Sequence, residues 1–163
     1  KNNIVNRRLI ICGYHPIELL ISILLALFLV ISLIAVYVGL LTNVFYPIDH
    51  LVRFILSLIL IGFVYGGYGM VVGSLLKVEL EGILMIVLLV NIDVGWLQNP
   101  LFYAEAQNQI IIKFLPAYFP SQTAIITAVT DYSATAAIVN SVLYGSIFLF
   151  FSMLIFFYKM RTK

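Results

Sequence analysis

Apolar and polar positions alternate along this chain in blocks, not singly. Leu19 to Leu41, Phe54 to Leu76 and Tyr132 to Tyr158 carry no charged residue. A shorter block, Gly82 to Leu97, holds one acid, Asp93, near its far end. A membrane helix needs about 20 apolar residues to cross a hydrocarbon core of about 30 Å. Barrel strands would instead alternate apolar and polar over about ten residues. The pattern predicts an all-α membrane protein, a polytopic helical bundle with spans at about 17–41, 52–76, 81–97 and 134–158. The nine residues Ser74 to Gly82 contain Lys77, Glu79 and Glu81 between two apolar blocks. Such a charged knot predicts a tight turn at a water interface joining two antiparallel helices.

Two segments break the pattern. Residues 1–16 mix Asn6, Arg7 and Arg8 with Ile4, Val5 and Leu9, and Gly13 and Pro16 interrupt them before the first span. They read either as a short interfacial helix followed by a turn or as a simple basic flank. Residues 98–132 contain Pro100, Pro116 and Pro120 with Glu105 and Lys113, so no uninterrupted span fits. They predict a re-entrant or interfacial helix pair at roughly 102–115 and 121–130, with Ser121 capping the second. Within the second span, Gly62 and Gly66, and again Gly69 and Gly73, are four residues apart. That spacing bares backbone for close helix packing, although glycine is common in membrane helices generally.

Composition agrees with a bilayer. Hydrophobic residues make up 63% and charged residues 10% of the 163, against about 45–50% and about 25% in soluble domains. Mean hydropathy is +1.13. The net charge of +2 argues against a nucleic-acid partner. Seven of the nine basic residues fall in 1–16, the Ser74–Gly82 turn and the C-terminal tail. Four spans would place these on one side, which the positive-inside rule makes cytoplasmic. Both ends of the chain are then expected inside a bacterial cell membrane, with 98–132 outside. The chain begins with Lys1, as a processed chain or part of a longer one would.

Chemistry is sparse. No G-x-x-x-x-G-K-[ST], H-E-x-x-H or G-x-S-x-G occurs, so no catalytic residue is named and no enzyme is expected. One cysteine, Cys12, excludes an internal disulfide, and His15 and His50 fall on opposite sides, so no metal site is expected. Tyr65, Tyr68, Asn91 and Asp93 are the candidate lining of a substrate path. Asp93 has two readings: a polar lining of a transport path, or an interfacial acid near Trp96 and Pro100 that pairs with a neighbour or caps the helix end.

The order of these features resembles the permease subunits of ABC-2 type exporters. N-R-R-L-I-I-C-G-Y-H-P-I-E-L-L is similar to the family's cytoplasmic segment before its third helix. Gly69 to Lys77 with Glu79 and Glu81 is similar to its charged cytoplasmic turn, followed by D-V-G-W-L-Q-N-P. L-P-A-Y-F-P-S-Q, Leu115 to Gln122, resembles its external region before a final helix with a basic tail. The chain would supply the last four of six helices. The resemblance implies two ABC ATPase subunits that bind ATP and Mg, and a second permease copy or relative. It places Asn6, Arg7, Arg8, Tyr14, Lys77, Glu79 and Glu81 at the ATPase interface. Export of a drug, antimicrobial peptide or lipid-like substrate is the implied function. A secondary transporter or channel subunit would instead show internal repeats, and a non-transporting scaffold would use the glycines for packing alone.

Overall fold

A computed structural model describes residues 16–76, 78–97, 99, 101, 109–129 and 133–161. Among these residues the regular structure is entirely helical. Helix α1 runs Pro16–Phe45, α2 Leu51–Leu75, α3 Glu79–Val90, α4 Gln109–Lys113, α5 Tyr118–Val129 and α6 Thr135–Arg161, with a π-helical turn at Asn91–Leu97 continuing α3. Three helices are long and apolar enough to cross a membrane: Ile17–Phe45, Leu51–Leu75 and Thr135–Tyr158, with mean hydropathies of 3.2, 2.1 and 2.0.

Local chemistry sets the helix ends. Pro16 suits a first helical position, where its missing N–H costs nothing, and Glu18 lies in the positive first turn of α1. The helix continues past Leu41, where the apolar block stops, because Thr42 satisfies its hydroxyl on the Val38 carbonyl at 2.8 Å. Pro47 follows its end, and the Asn43 side chain accepts from the Ile48 N–H at 3.0 Å, folding the chain back into α2. The Ser74–Gly82 knot is a turn between α2 and α3, with Glu79 and Glu81 in the first turn of α3.

Helix α2 is the axis of the bundle, packed against α1, α3, α5 and α6. Its neighbours' directions follow from residue pairs. Gly39 meets Ile55 and Gly66 meets Leu27 and Ile31, so α1 is antiparallel to α2. Gly69 meets Ile86, so α3 is antiparallel as well. Gly67 meets Gly145 and Phe148 further along, while Arg53 and Thr135 share a groove at the start of both helices, so α6 is parallel to α2. Two parallel helices require the chain between them to return along the bundle. That return is made in pieces. The α3 helix with its π turn climbs to the level of Tyr65, and α5 continues from there to the level of Ser57.

Small and hydroxyl side chains fill the contacts: Ala35, Ser57, Ala117, Thr123, Thr127, Ala134, Ser141 and Ser152 are buried. Large apolar residues such as Leu25, Phe28, Leu33, Ile83 and Phe150 are exposed. This inversion fits lipid as solvent, where tails are as apolar as leucine and close backbone approach does the packing. The first glycine pair faces α1, and a methyl group on Gly62 would overlap Ile31. The second pair makes no close approach: Gly69 would have only ordinary contact with Ile86, and Gly73 faces open space. Gly67 and Gly145 instead bring α2 and α6 together, at a backbone carbonyl 3.2 Å from where a Gly67 side chain would begin.

Candidate functional site

The most polar point inside the bundle is Asp93, 4% exposed. It belongs to the π-helical turn, where the wider winding breaks the α3 register. The Tyr65 hydroxyl donates to Asp93 Oδ2 at 2.7 Å, and the Ala117 N–H donates to the same oxygen at 3.1 Å. Ala117 immediately precedes α5, so the carboxylate holds an amide at the positive end of that helix. Three elements distant in sequence are thereby tied at one atom.

An aromatic chain surrounds this junction. The Tyr68 ring packs tilted against Phe148 at 5.3 Å, Phe148 meets Tyr144 at 5.3 Å edge-on, and Tyr144 lies 6.4 Å from Phe119. Phe119 in turn packs on Tyr118 at 5.1 Å. The Tyr144 hydroxyl donates to the Phe114 carbonyl, fixing the loop before α5 to α6. Aromatic pairs of this kind each contribute about 0.5–1.5 kcal/mol beyond area burial.

The geometry bears on two sequence expectations. Asp93 does not face outward: it is buried level with Tyr65, near the middle of α2, and pairs with that neighbour. Ser121 is not an N-cap. The α5 helix starts earlier, at Tyr118, and Ser121 donates its hydroxyl to the Tyr118 carbonyl at 2.9 Å. Pro120 is accommodated because it sits in the first turn, where amide groups lack helical partners. Of the expected 102–115 helix, Gln109–Lys113 is helical, Phe114 and Leu115 lie in the turn that follows, and residues 102–108 lie outside the described set.

The four proposed path residues divide. Tyr65 and Asp93 are bonded, and Tyr68 joins the adjoining aromatic chain. Asn91 is exposed on an outward face with Leu84 and Leu88, and its amide donates to the Val87 carbonyl of its own helix at 2.8 Å. Of the proposed ATPase contacts, Asn6, Arg7, Arg8, Tyr14 and Lys77 lie outside the described residues, Glu79 opens α3 and Glu81 is exposed. Sequence reading missed Ala117, Phe119, Tyr144 and Phe148. Pro116 and Pro120 bracket Ala117 and were a usable signal of a forced turn, but nothing local marks Tyr144.

The arrangement can hold a proton or orient a polar group, and it can fasten or release the start of α5. Among the described residues no cluster of three histidines, cysteines or acids could hold a metal ion. Comparison with known families, curated proteins and solved structures found no match to this chain.

Proposed function

We propose that this chain is the membrane-spanning permease subunit of an ABC-2 type exporter, moving a drug, antimicrobial peptide or lipid-like substrate out of the cell. The observation that carries this reading is the broken return between the parallel helices α2 and α6, with α3 and α5 meeting at a buried carboxylate level with Tyr65 of α2. In this reading α5 is re-entrant, the chain crosses four times and the basic ends share the cytoplasmic side. Irregular backbone at membrane depth is tolerated only inside protein or beside a water-filled path, so the break between α3 and α5 is where a path belongs. A continuous helix such as α1 has one arrangement. A helix interrupted at Asp93 has a joint, and the Tyr65–Asp93–Ala117 contact is its latch. Two separate ATPase subunits, pressing on Arg7, Arg8 and the Lys77–Glu81 turn, would supply the force, and a second permease would complete the path.

One test is co-purification of the tagged chain from its native membrane with an ATPase assay. An ATPase present in stoichiometric amount, and lost when Arg7 and Arg8 are both changed to Glu, is the expected result. Its absence under gentle detergent would remove the exporter reading.

The same carboxylate favours one second reading, a carrier driven by protons. Acids inside membrane helices mark proton relays, and broken helices meeting at mid-depth mark the binding sites of secondary transporters. Transport that needs a proton gradient but no ATP, and stops in Asp93→Asn, would select it.

A further inference from the structure

A second feature lies away from Asp93, at the end of the bundle where α2 and α6 begin. A groove of about 520 Å³ opens between the first turns of α2, the latter half of α5 and the start of α6. Arg53, in the first turn of α2, is exposed at its rim and is the one charged side chain among the described residues lining it. Ser133 and Thr135 share that rim, and both are exposed. Deeper in, Ser57 and Thr127 are buried. Leu60 lies seven residues beyond Arg53, about 10 Å further along the helix axis, and Ile138 belongs to the same lining.

The groove is therefore charged only at its mouth, where Arg53 sits with two exposed hydroxyl groups. Further in, the buried hydroxyls of Ser57, Thr127 and Thr123 alternate with the apolar side chains of Leu56, Leu60 and Ile138. The inner lining carries no charge, and its hydroxyls are committed to their own helices: Ser57 donates to the Phe54 carbonyl at 2.7 Å and Thr127 to the Thr123 carbonyl at 2.8 Å. A free inorganic anion would gain one guanidinium and then face a cavity it cannot use. A phosphodiester that carries an acyl chain can use both parts, the cation at the mouth and the uncharged, largely apolar lining behind it. Arginine suits the phosphate because its planar fork binds oxygens in pairs and gives up hydration more readily than lysine.

We propose that this groove holds an anionic phospholipid of the leaflet at the Arg53 end, with its phosphate on Arg53 and one acyl chain along Leu60 and Ile138. The lipid would touch α5 at the end opposite its Asp93 latch. It would thus support the one helix of the return that lies between α2 and α6.

The test uses the full chain in nanodiscs of phosphatidylcholine with or without phosphatidylglycerol, reading retained lipid by native mass spectrometry and unfolding temperature alongside. Wild type is expected to retain phosphatidylglycerol in preference to phosphatidylcholine and to unfold at a higher temperature with it. Arg53→Gln should weaken that retention about tenfold while leaving unfolding in phosphatidylcholine unchanged, since the side chain is exposed. Arg53→Lys should keep part of the preference. Ile138→Trp, which fills the groove and leaves the charge, should also lose retention. Equal retention of both lipids by wild type, full retention in Ile138→Trp, or equal protection by soluble glycerol phosphate would each overturn the proposal.

Discussion

Helix α1 and the return between α2 and α6 both pack on α2, yet they are held by different physics. Along α1 most large side chains are exposed, the buried set is little more than Leu20, Ala35 and Gly39, and the contact is shape alone: glycines Gly62 and Gly66 accept Ile31 and Leu27. The return is short, broken and polar, tied by Asp93 to Tyr65 and Ala117 and by Tyr144 to Phe114. A continuous helix satisfies every internal amide within itself, so in lipid it needs no partner to be stable. A helix that starts at mid-depth leaves its first N–H groups open, and another element must satisfy them. The buried carboxylate follows from the break.

The sharpest way to break the comparison is Asp93→Ala. It leaves the Tyr65 hydroxyl and the Ala117 N–H without their acceptor, and should cost about 3 kcal/mol of unfolding free energy in mixed micelles. Asp93→Asn keeps an acceptor oxygen and should cost much less. Equal losses would mean that the charge, not the hydrogen bonding, holds α5.

Next in size is Gly145→Val. The new side chain would collide with the Phe63 ring and push α2 from α6, costing about 2 kcal/mol on the same measurement. Its counterpart away from any seam, Gly73→Val, meets nothing and should be silent within about 0.5 kcal/mol. If both substitutions behaved alike, the placement of the glycine contacts would be wrong.

Tyr65→Phe removes one donor and keeps the ring, so about 1 kcal/mol is expected, and the loss should vanish in an Asp93→Ala background because the pair acts as a unit. A double-mutant cycle with no coupling would separate the two residues. The smallest effect belongs to α1. Leu33→Ala on its exposed face should change stability by less than about 0.5 kcal/mol, whereas a core truncation in a soluble protein costs about 2–5 kcal/mol.

Much of the long-helix framework is legible in the residues. The expected 52–76 span is α2 at Leu51–Leu75, and 134–158 lies inside Thr135–Arg161 apart from its first residue. Helix α1 runs on past 41, where the polar pair Thr42-Asn43 looks like an end, because a threonine can bond its own helix and stay inside. The expected third span at 81–97 becomes α3 plus a π turn, since no pattern of apolar positions announces a change of winding. Ser121 misled for a related reason: serine serves a cap or a back-bond equally well, and only the position of Ala117 against Asp93 decides which.

Hydropathy alone determined that this chain is helical, where its longest helices lie and that they are apolar enough to cross a membrane, because each of those facts is a sum over neighbouring residues. Tertiary structure decided which small residues touch, that Asp93 turns inward, that α5 begins level with Tyr65 of α2 and that Arg53, Thr135 and Leu60 share a groove. Those facts depend on which face of each helix meets another, and a periodicity as weak as that of an almost wholly apolar helix does not encode its facing. In lipid the outward side chains need not be polar, so the signal that orients a helix in water is missing, and close packing with a few buried hydrogen bonds has to supply it.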